Sequence, residues 1–417
     1  MARDEEGLGR ATVRRLWLPI YLPTALFAAG VAALAPVLPL LALDLGLGGA
    51  GTAALLTAAG ALAVLAPLPA GLLVARIGER RALVGGALLV LLGDAACWAA
   101  AVRLAPLPVF LASVPAMAAG AVVWDLGRQG FLADEVPARV RPYAMNLFGG
   151  MQRLGRVIGP LAGTAVLALA GTAAAIAVEA LACLIAAALV LRFVPRPAPA
   201  AGPEPAPGAQ PAAGGPPAPA FRMRPMLLVS AGVASLELAR STRGVLVVLC
   251  AHAIGMDATA VSALFAVQAV IEIAFFALGA RLMERFGRVA AIVVPLLGFA
   301  SGFALLPLMR EPLALAAVVV LMSCGNTVSA GINKTLAADL TPRTGRARYL
   351  GLWNSITGLG VVTGPGVVAL LLTIASLPAA GAALAALLGV GAAWSAWWVP
   401  RLAPARAEGP GRSRPGP

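Results

Sequence analysis

Charge is scarce in this sequence. Asp, Glu, Lys and Arg make up 12% of its 417 residues, against about 25% in soluble globular domains. Hydrophobic residues reach 60%, where about 45–50% is usual, and the mean hydropathy is +0.91. Such a chain cannot cover a surface that faces water; it is read as dissolved in lipid. Acids are scarcer still, 18 against 31 Lys and Arg, for a formal charge of +13. A basic excess of that size can signal nucleic acid, but its placement excludes that partner. Among expected loops on one side, Arg103 and Arg310 are the only basic residues. Arg128, Arg153, Arg156, Arg240, Arg243 and Lys334 lie inside apolar segments, and the rest sit in the termini, a linker and the opposite loops. That is the positive-inside asymmetry. It puts both termini in the cytoplasm, demands an even number of spans, and points to the plasma membrane with the lipid bilayer as the chief partner.

Cysteine is rare too. Cys97, Cys183, Cys250 and Cys324 all fall within apolar runs and lack metal-type spacing, so they read as small core residues rather than disulfides or ligands. The one histidine, His252, sits at the outer end of an apolar run, where solvation is the simpler reading. There is no P-loop, no cluster of metal ligands and no nucleophile–base set. The expectation is a protein that is not an enzyme and needs no cofactor or metal. Arg14 and Arg15 before an apolar run imitate a signal peptide, but the run at 17–43 exceeds the roughly 7–15 residues of an h-region. It is read as the first span.

What is present is a repeat. Adding 205 to the numbering of Gly120–Gly163 brings the same marks back without a gap: Gly120 to Gly325, Asp134 to Asp339, Pro137 to Pro342, Arg141 to Arg346, Gly155 to Gly360, and Gly159-Pro160 to Gly364-Pro365. Two similar halves in a membrane chain, repeated in parallel about an axis along the bilayer normal, point to a transporter. At roughly 20 residues per span, the apolar runs place six spans in the first half, at 17–42, 50–74, 82–102, 107–133, 143–169 and 172–194. Six more follow at 225–251, 258–282, 289–309, 313–338, 349–374 and 378–399. The expected organisation is a cytoplasmic tail over 1–16, a six-helix bundle over 17–194, a Pro/Ala/Gly linker over 195–222, a second bundle over 223–400 and a tail over 401–417. The fold class is all-α integral membrane, twelve helices in two bundles with a parallel pseudo-twofold repeat.

The turn after the second span reads Gly71-Leu-Leu-Val-Ala75-Arg76-Ile77-Gly78-Glu79-Arg80-Arg81; its counterpart reads Glu284-Arg285-Phe286-Gly287-Arg288. Glycine lets the backbone turn where helix stops, and arginine there favours the cytoplasmic face. This turn resembles the G-x-x-x-D-R-x-G-R-R of the major facilitator superfamily, and the resemblance covers essentially the whole chain. It implies two six-helix bundles rocking about a central cavity, with the acid of the turn helping to latch the halves. Ala75 stands where that acid is usual in the first copy; the second copy keeps it as Glu284, with Ala280 at the place of the first Gly. In the fifth span, Gly155, Gly159, Pro160 and Gly163 look like the core of a motif of proton antiporters in that superfamily, with Asn146 at the place of the usual earlier glycine. The resemblance favours efflux. Close packing at the interface between halves is the plainer reading, and Gly360, Gly364 and Pro365 in the eleventh span strengthen it.

Ionisable residues inside the bilayer cost about 2.5–3.5 kcal/mol each and by default face an interior path. They are Asp94, Asp125, Arg128, Arg153, Arg156, Glu179, Glu237, Arg240, Arg243 and Glu272. Asp125 with Arg128, and Glu237 with Arg240, fall three apart on one helix face; they read as cavity charge pairs or as structural glue. A carboxyl without a charge partner in a low dielectric can take a proton near neutral pH. Asp94, Glu179 and Glu272 have none at three or four residues, so they are the proton-carrier candidates, with polar packing as the bland reading. Arg128-Gln129 and Asn333-Lys334 are equivalent in the repeat and read either as side chains snorkelling to the interface or as contacts at the inner cavity mouth. The reading that combines these is a monomeric proton-coupled exporter of a small molecule. A symporter taking up an anionic metabolite, and a non-transporting sensor, stand as alternatives.

Overall fold

The computed structural model describes residues 12–136, 141–194, 223–329, 331–340 and 346–402. The first eleven residues, the linker expected at 195–222, the tail beyond 402 and the repeat marks Pro137 and Pro342 lie outside them, as do the side chains of Asp134, Arg141, Glu284 and Arg346. Every regular element among the described residues is helical. In the first half these are a π-helical turn (Trp17–Tyr21), α1 (Leu22–Leu34), α2 (Val37–Asp44), α3 (Gly49–Leu65), α4 (Pro67–Ile77), α5 (Glu79–Ala101), α6 (Leu107–Glu135) and α7 (Arg141–Phe193). In the second they are α8 (Met223–Ala253), α9 (Ala258–Ala274), α10 (Phe276–Leu305) with a 3-10 turn after it (Leu306–Leu308), α11 (Pro312–Thr327), α12 (Ile332–Leu340), α13 (Arg346–Ile374) and α14 (Leu377–Leu402).

Among the described residues eight helices are long and apolar enough to cross a membrane, and α3 with α4 forms a further pair bent by 54°. One of the eight runs over Leu147–Phe193, 47 residues, or about 70 Å at 1.5 Å per residue. That is more than twice the roughly 30 Å of hydrocarbon, and Gly171 at φ 76° breaks the helix inside it. Large apolar side chains such as Leu68, Leu169, Leu313 and Ile374 are 77% exposed or more, a surface suited to lipid and not to water.

Several expected spans are broken. The first is interrupted at Ala35-Pro36, the second at Ala66 before Pro67, the eighth at Phe275 and the tenth between Thr327 and Ile332. Proline accounts for the first two, because it has no N–H for the preceding turn. Gly331, at φ 83°, sits in the last.

The repeat survives as repeated contact. In α7, a Cβ on Gly155 or Gly159 would run into backbone carbonyls of α1, those of Ala25 and Ala29. In α13, a Cβ on Gly360 would run into Ala234 O of α8, and one on Gly364 into the Ser241 hydroxyl. Small residues four apart let these backbones touch. The contacts lie within each half, not between halves; the expectation of an inter-half seam here is corrected. Gly86 with Gly120 in the first half and Gly298 with Gly325 in the second make the same approach.

The halves meet through other surfaces. Gly49 of α3 sits against Leu372 and Leu249, and Gly366 of α13 against Thr57. Leu40 and Ala53 join the apolar core of the second half, and Thr164 Oγ1 donates to Ser262 Oγ at 3.0 Å. All of these lie toward the helix ends away from Thr12 and Leu402. At the other end Gly71, Gly149, Gly150 and Gly351 have nothing within 4 Å of where a Cβ would stand.

Candidate functional site

The second half builds a polar wall from broken helices. On α8, Glu237 and Arg240 form an ion pair at 2.9 Å, one turn apart. Arg240 also donates from Nε to Asn326 Oδ1 at 3.0 Å and from Nη2 to Ser329 Oγ at 2.7 Å. Ser329 lies in the interruption between α11 and α12. Irregular backbone is tolerated at membrane depth where it lines a cavity and its polar groups find partners; the arginine supplies one here. Asn326 in turn donates from Nδ2 to Glu272 Oε1 at 3.0 Å, and Arg243 Nη1 lies 2.7 Å from the same oxygen. Asn333 approaches Glu237 Oε1 at 3.5 Å and accepts from the Trp353 indole at 2.7 Å. One network thus runs over α8, α9, α11, α12 and α13.

The opposite wall comes from the first half. A cavity of about 690 Å³ lies between the two, lined by Ala32, Ala35, Arg153, Arg156, Val157 and Pro160 on one side. Glu237, Arg240, Arg243, Phe265, Gln268, Glu272, Asn326 and Thr327 line the other. Pockets for small molecules run from about 300 to 1,000 Å³ and are mostly apolar with a few placed polar groups. The sequence brought forward all six charged side chains described here. It did not single out Gln268, Asn326 or Thr327, although Asn326 follows Gly325, a mark of the repeat, and a polar amide in an apolar run was the signal available.

Other candidates lie elsewhere. Asp125 and Arg128 pair at 2.6 Å, and Asp125 also accepts from Gln129 at 2.7 Å and Gln152 at 2.9 Å. Arg128 is 2% exposed, with its guanidinium 5.4–5.5 Å from the rings of Phe27, Trp124 and Phe148. The snorkelling reading of Arg128 is therefore corrected: this is a cation enclosed by aromatic faces. Asp94 and Glu179 are buried in the first half and do not line the cavity. They lie within electrostatic reach of each other, with Cys97 and Cys183 beside them. Glu272, which has no charge partner three or four residues away in sequence, pairs with Arg243 of another helix. Cys97, Cys183 and Cys250 are buried, whereas Cys324 is exposed, contrary to the core reading.

The two turns match. Gly78 has φ 82° and Gly287 φ 80°, a region that L side chains avoid, so glycine is required at both. Arg80 donates to Leu191 O at 2.9 Å, which satisfies a carbonyl at the end of α7. Arg288 pairs at 2.6 Å with Asp339, one of the repeated acids. Arg76 is exposed at the end of α4, and the Arg285 guanidinium lies over the Phe286 ring at 5.3 Å.

The Major Facilitator Superfamily model matches this sequence twice, over residues 20–239 and 229–416. The chain belongs to the major facilitator superfamily. It is thereby a multi-pass membrane transporter of that superfamily, which is not a family of enzymes. Solved structures agree in fold. A POT family transporter in complex with 5-aminolevulinic acid has a TM-score of 0.71 at 11% identity, over 93% of this chain and 96% of that one. A peptide transporter POT in complex with sulfate has 0.71 at 13% identity, over 94% and 95%. A D-xylose-proton symporter has 0.69 at 12% identity, over 94% and 98%. No curated protein matches the sequence.

Proposed function

We propose that this superfamily member is a proton-coupled exporter of a small organic molecule, working by alternating access as a monomer in the plasma membrane. Twelve spans in two six-helix bundles, over 17–194 and 223–400, carry it, with both termini cytoplasmic. The break at Gly171, the bent α3–α4 pair, the charged α8, and α9 continued into α10 as far as Gly287 support raising the eight apolar helices to twelve. The observation that carries the reading is the cavity walled by both halves, with the Arg243–Glu272 pair in its side. With the termini inside, the contacts at Thr164–Ser262 and Gly49–Leu372 close the outer end, and the cavity opens inward.

Glu272 is a carrier by exchange and not by isolation: a proton there takes the place of Arg243 as the partner of the carboxylate, cancels its charge and weakens its hold on Arg243 and Asn326. This loosens α9 from α8 and α11 and biases one state; substrate biases the other. Asp94 and Glu179 are the other acids able to hold the coupling proton. Export rests on the antiporter-like run Gly155–Gly163, whose Pro160 lines the cavity. The second reading, proton symport of an anion into the cell, is supported by four arginines against two glutamates in the lining, since an anion entering against an inside-negative potential needs cations with it. Everted vesicles holding the full chain decide between them. Export predicts solute accumulation driven by an inward-acid gradient; symport predicts that the same gradient expels solute. Movement indifferent to collapse of the gradient rejects proton coupling in either sense.

A further inference from the structure

We infer that the transported solute bears an anionic group, and that Arg156 is its seat. The inference rests on the carrier reading of the same cavity. Of its six charged lining residues, four are arginines and two are glutamates. Both glutamates are already engaged: Glu237 with Arg240 at 2.9 Å and Glu272 with Arg243 at 2.7 Å. The wall from the second half is therefore neutral in sum. The wall from the first half carries Arg153 and Arg156, one turn apart on α7, and no acid among the described residues. Arg156 is exposed and, among the described residues, makes neither a hydrogen bond nor an ion pair.

The fold does not need a cation at that place. The repeat offset carries Arg153 to Gly358 and Arg156 to Val361. Both lie against α3 of the other half: a Cβ on Gly358 would sit 3.5 Å from Val64, and Val361 O is 3.9 Å from the corresponding point at Gly60. The same helix position thus serves as an apolar contact in one half and as a charged cavity wall in the other. A cation at membrane depth is retained for a path or a ligand, and a guanidinium is shaped to bind an oxyanion with two parallel hydrogen bonds. The same cavity is lined by Val157, Ala32, Phe265 and Ile273, which suit an apolar body. The chemistry that fits is a small amphiphile with one carboxylate, phosphate or sulfonate head.

Three probes on one skeleton test this: 4-phenylbutyrate, 4-phenylbutylamine and 4-phenylbutan-1-ol, each titrated against the purified full chain and read by its thermal midpoint. The acid is expected to stabilise the protein at concentrations where amine and alcohol do not. This comparison needs no variant. Arg156→Gln is expected to weaken the acid roughly 10–100-fold, the share of one or two charge-assisted hydrogen bonds, and to leave the alcohol unchanged; Arg156→Lys restores much of the loss. The proposal is overturned if the amine binds better, if acid and alcohol bind alike, if none binds, or if the acid is indifferent to Arg156→Gln. Phosphatidylglycerol added to the micelles separates a lipid source: if it abolishes the effect of the acid, the seat belongs to a lipid headgroup and the solute assignment fails. Binding is read without a gradient. Lost gradient-driven transport with intact acid binding would count against proton-coupled export alone, whereas selective amine binding in a chain that still transports would count against the anion seat alone.

Discussion

Glu272 Oε1 lies 2.7 Å from Arg243 Nη1, across two helices and 29 residues of chain. The same oxygen accepts from Asn326 at 3.0 Å. One carboxylate oxygen therefore ties α8, α9 and α11 together beside the break at Phe275. Its charge is what holds Arg243, which is 8% exposed at its side chain and stacked at 5.4 Å over Phe299.

Glu272→Gln keeps the shape and an accepting oxygen but removes the charge. Gradient-driven transport in proteoliposomes is expected to fall by about tenfold or more, while solute exchange without a gradient persists. Stability falls as well. The pair is part exposed, so the loss lies between the values of surface and buried pairs, about 1–2 kcal/mol, visible as a few degrees in the thermal midpoint. Unchanged gradient-driven transport would remove Glu272 from the coupling.

The partner of Glu272 illustrates what sequence withholds. The apolar helices and the offset of 205 were legible, because apolar runs and repeated glycines are local signals. The spacing of Asp125 to Arg128 and of Glu237 to Arg240 placed each pair on one helix face, because i,i+3 contact is local too. Arg243 and Glu272 meet across helices, and in lipid the outer face of a helix is as apolar as its packed face. Hydrophobic period therefore gave no orientation. For the same reason it did not reveal that Arg128 sits in an aromatic cage, that Asp94 and Glu179 are buried together away from the cavity, or that Gly155 and Gly159 of α7 touch α1.

Gly159→Ala is expected to destabilise the protein by about 1–3 kcal/mol, the usual scale of overpacking. The new methyl would press on Ala29 O and come within 2.8 Å of Ala32 Cβ. Gly149→Ala, ten residues back on the same helix with nothing within 4 Å, is expected to gain a few tenths to about 1 kcal/mol from helix propensity. Thermal melts of the two variants should move in opposite directions. Equal shifts would mean that the α1–α7 contact is looser than described.

Asp94 and Glu179 are 1% and 4% exposed, and both Asp94 oxygens and Glu179 Oε2 have no hydrogen-bond partner among the described residues. Burying such a group costs about 1–3 kcal/mol. Glu179→Met, close in volume, is expected to return about that much as a higher thermal midpoint. If the acid holds a coupling proton, the same variant loses gradient-driven transport, a trade of activity for stability. A variant that gains stability and transports normally makes Glu179 a packing residue.

The seam between Thr164 and Ser262 is open to a direct test. Thr164 Oγ1 and Ser262 Oγ stand 3.0 Å apart, one on each half. Thr164→Cys with Ser262→Cys brings two sulfurs near the roughly 2.05 Å of a disulfide, in a background where the exposed Cys324 is Ser. Alternating access requires this seam to part once per cycle. Oxidation is therefore expected to stop transport and reduction to restore it, while binding from the termini side continues, because the cross-link lies beyond the cavity. The cross-link itself is verified by mass. Full transport through an oxidised, cross-linked chain would mean that the halves do not separate here, and the cycle would need another opening.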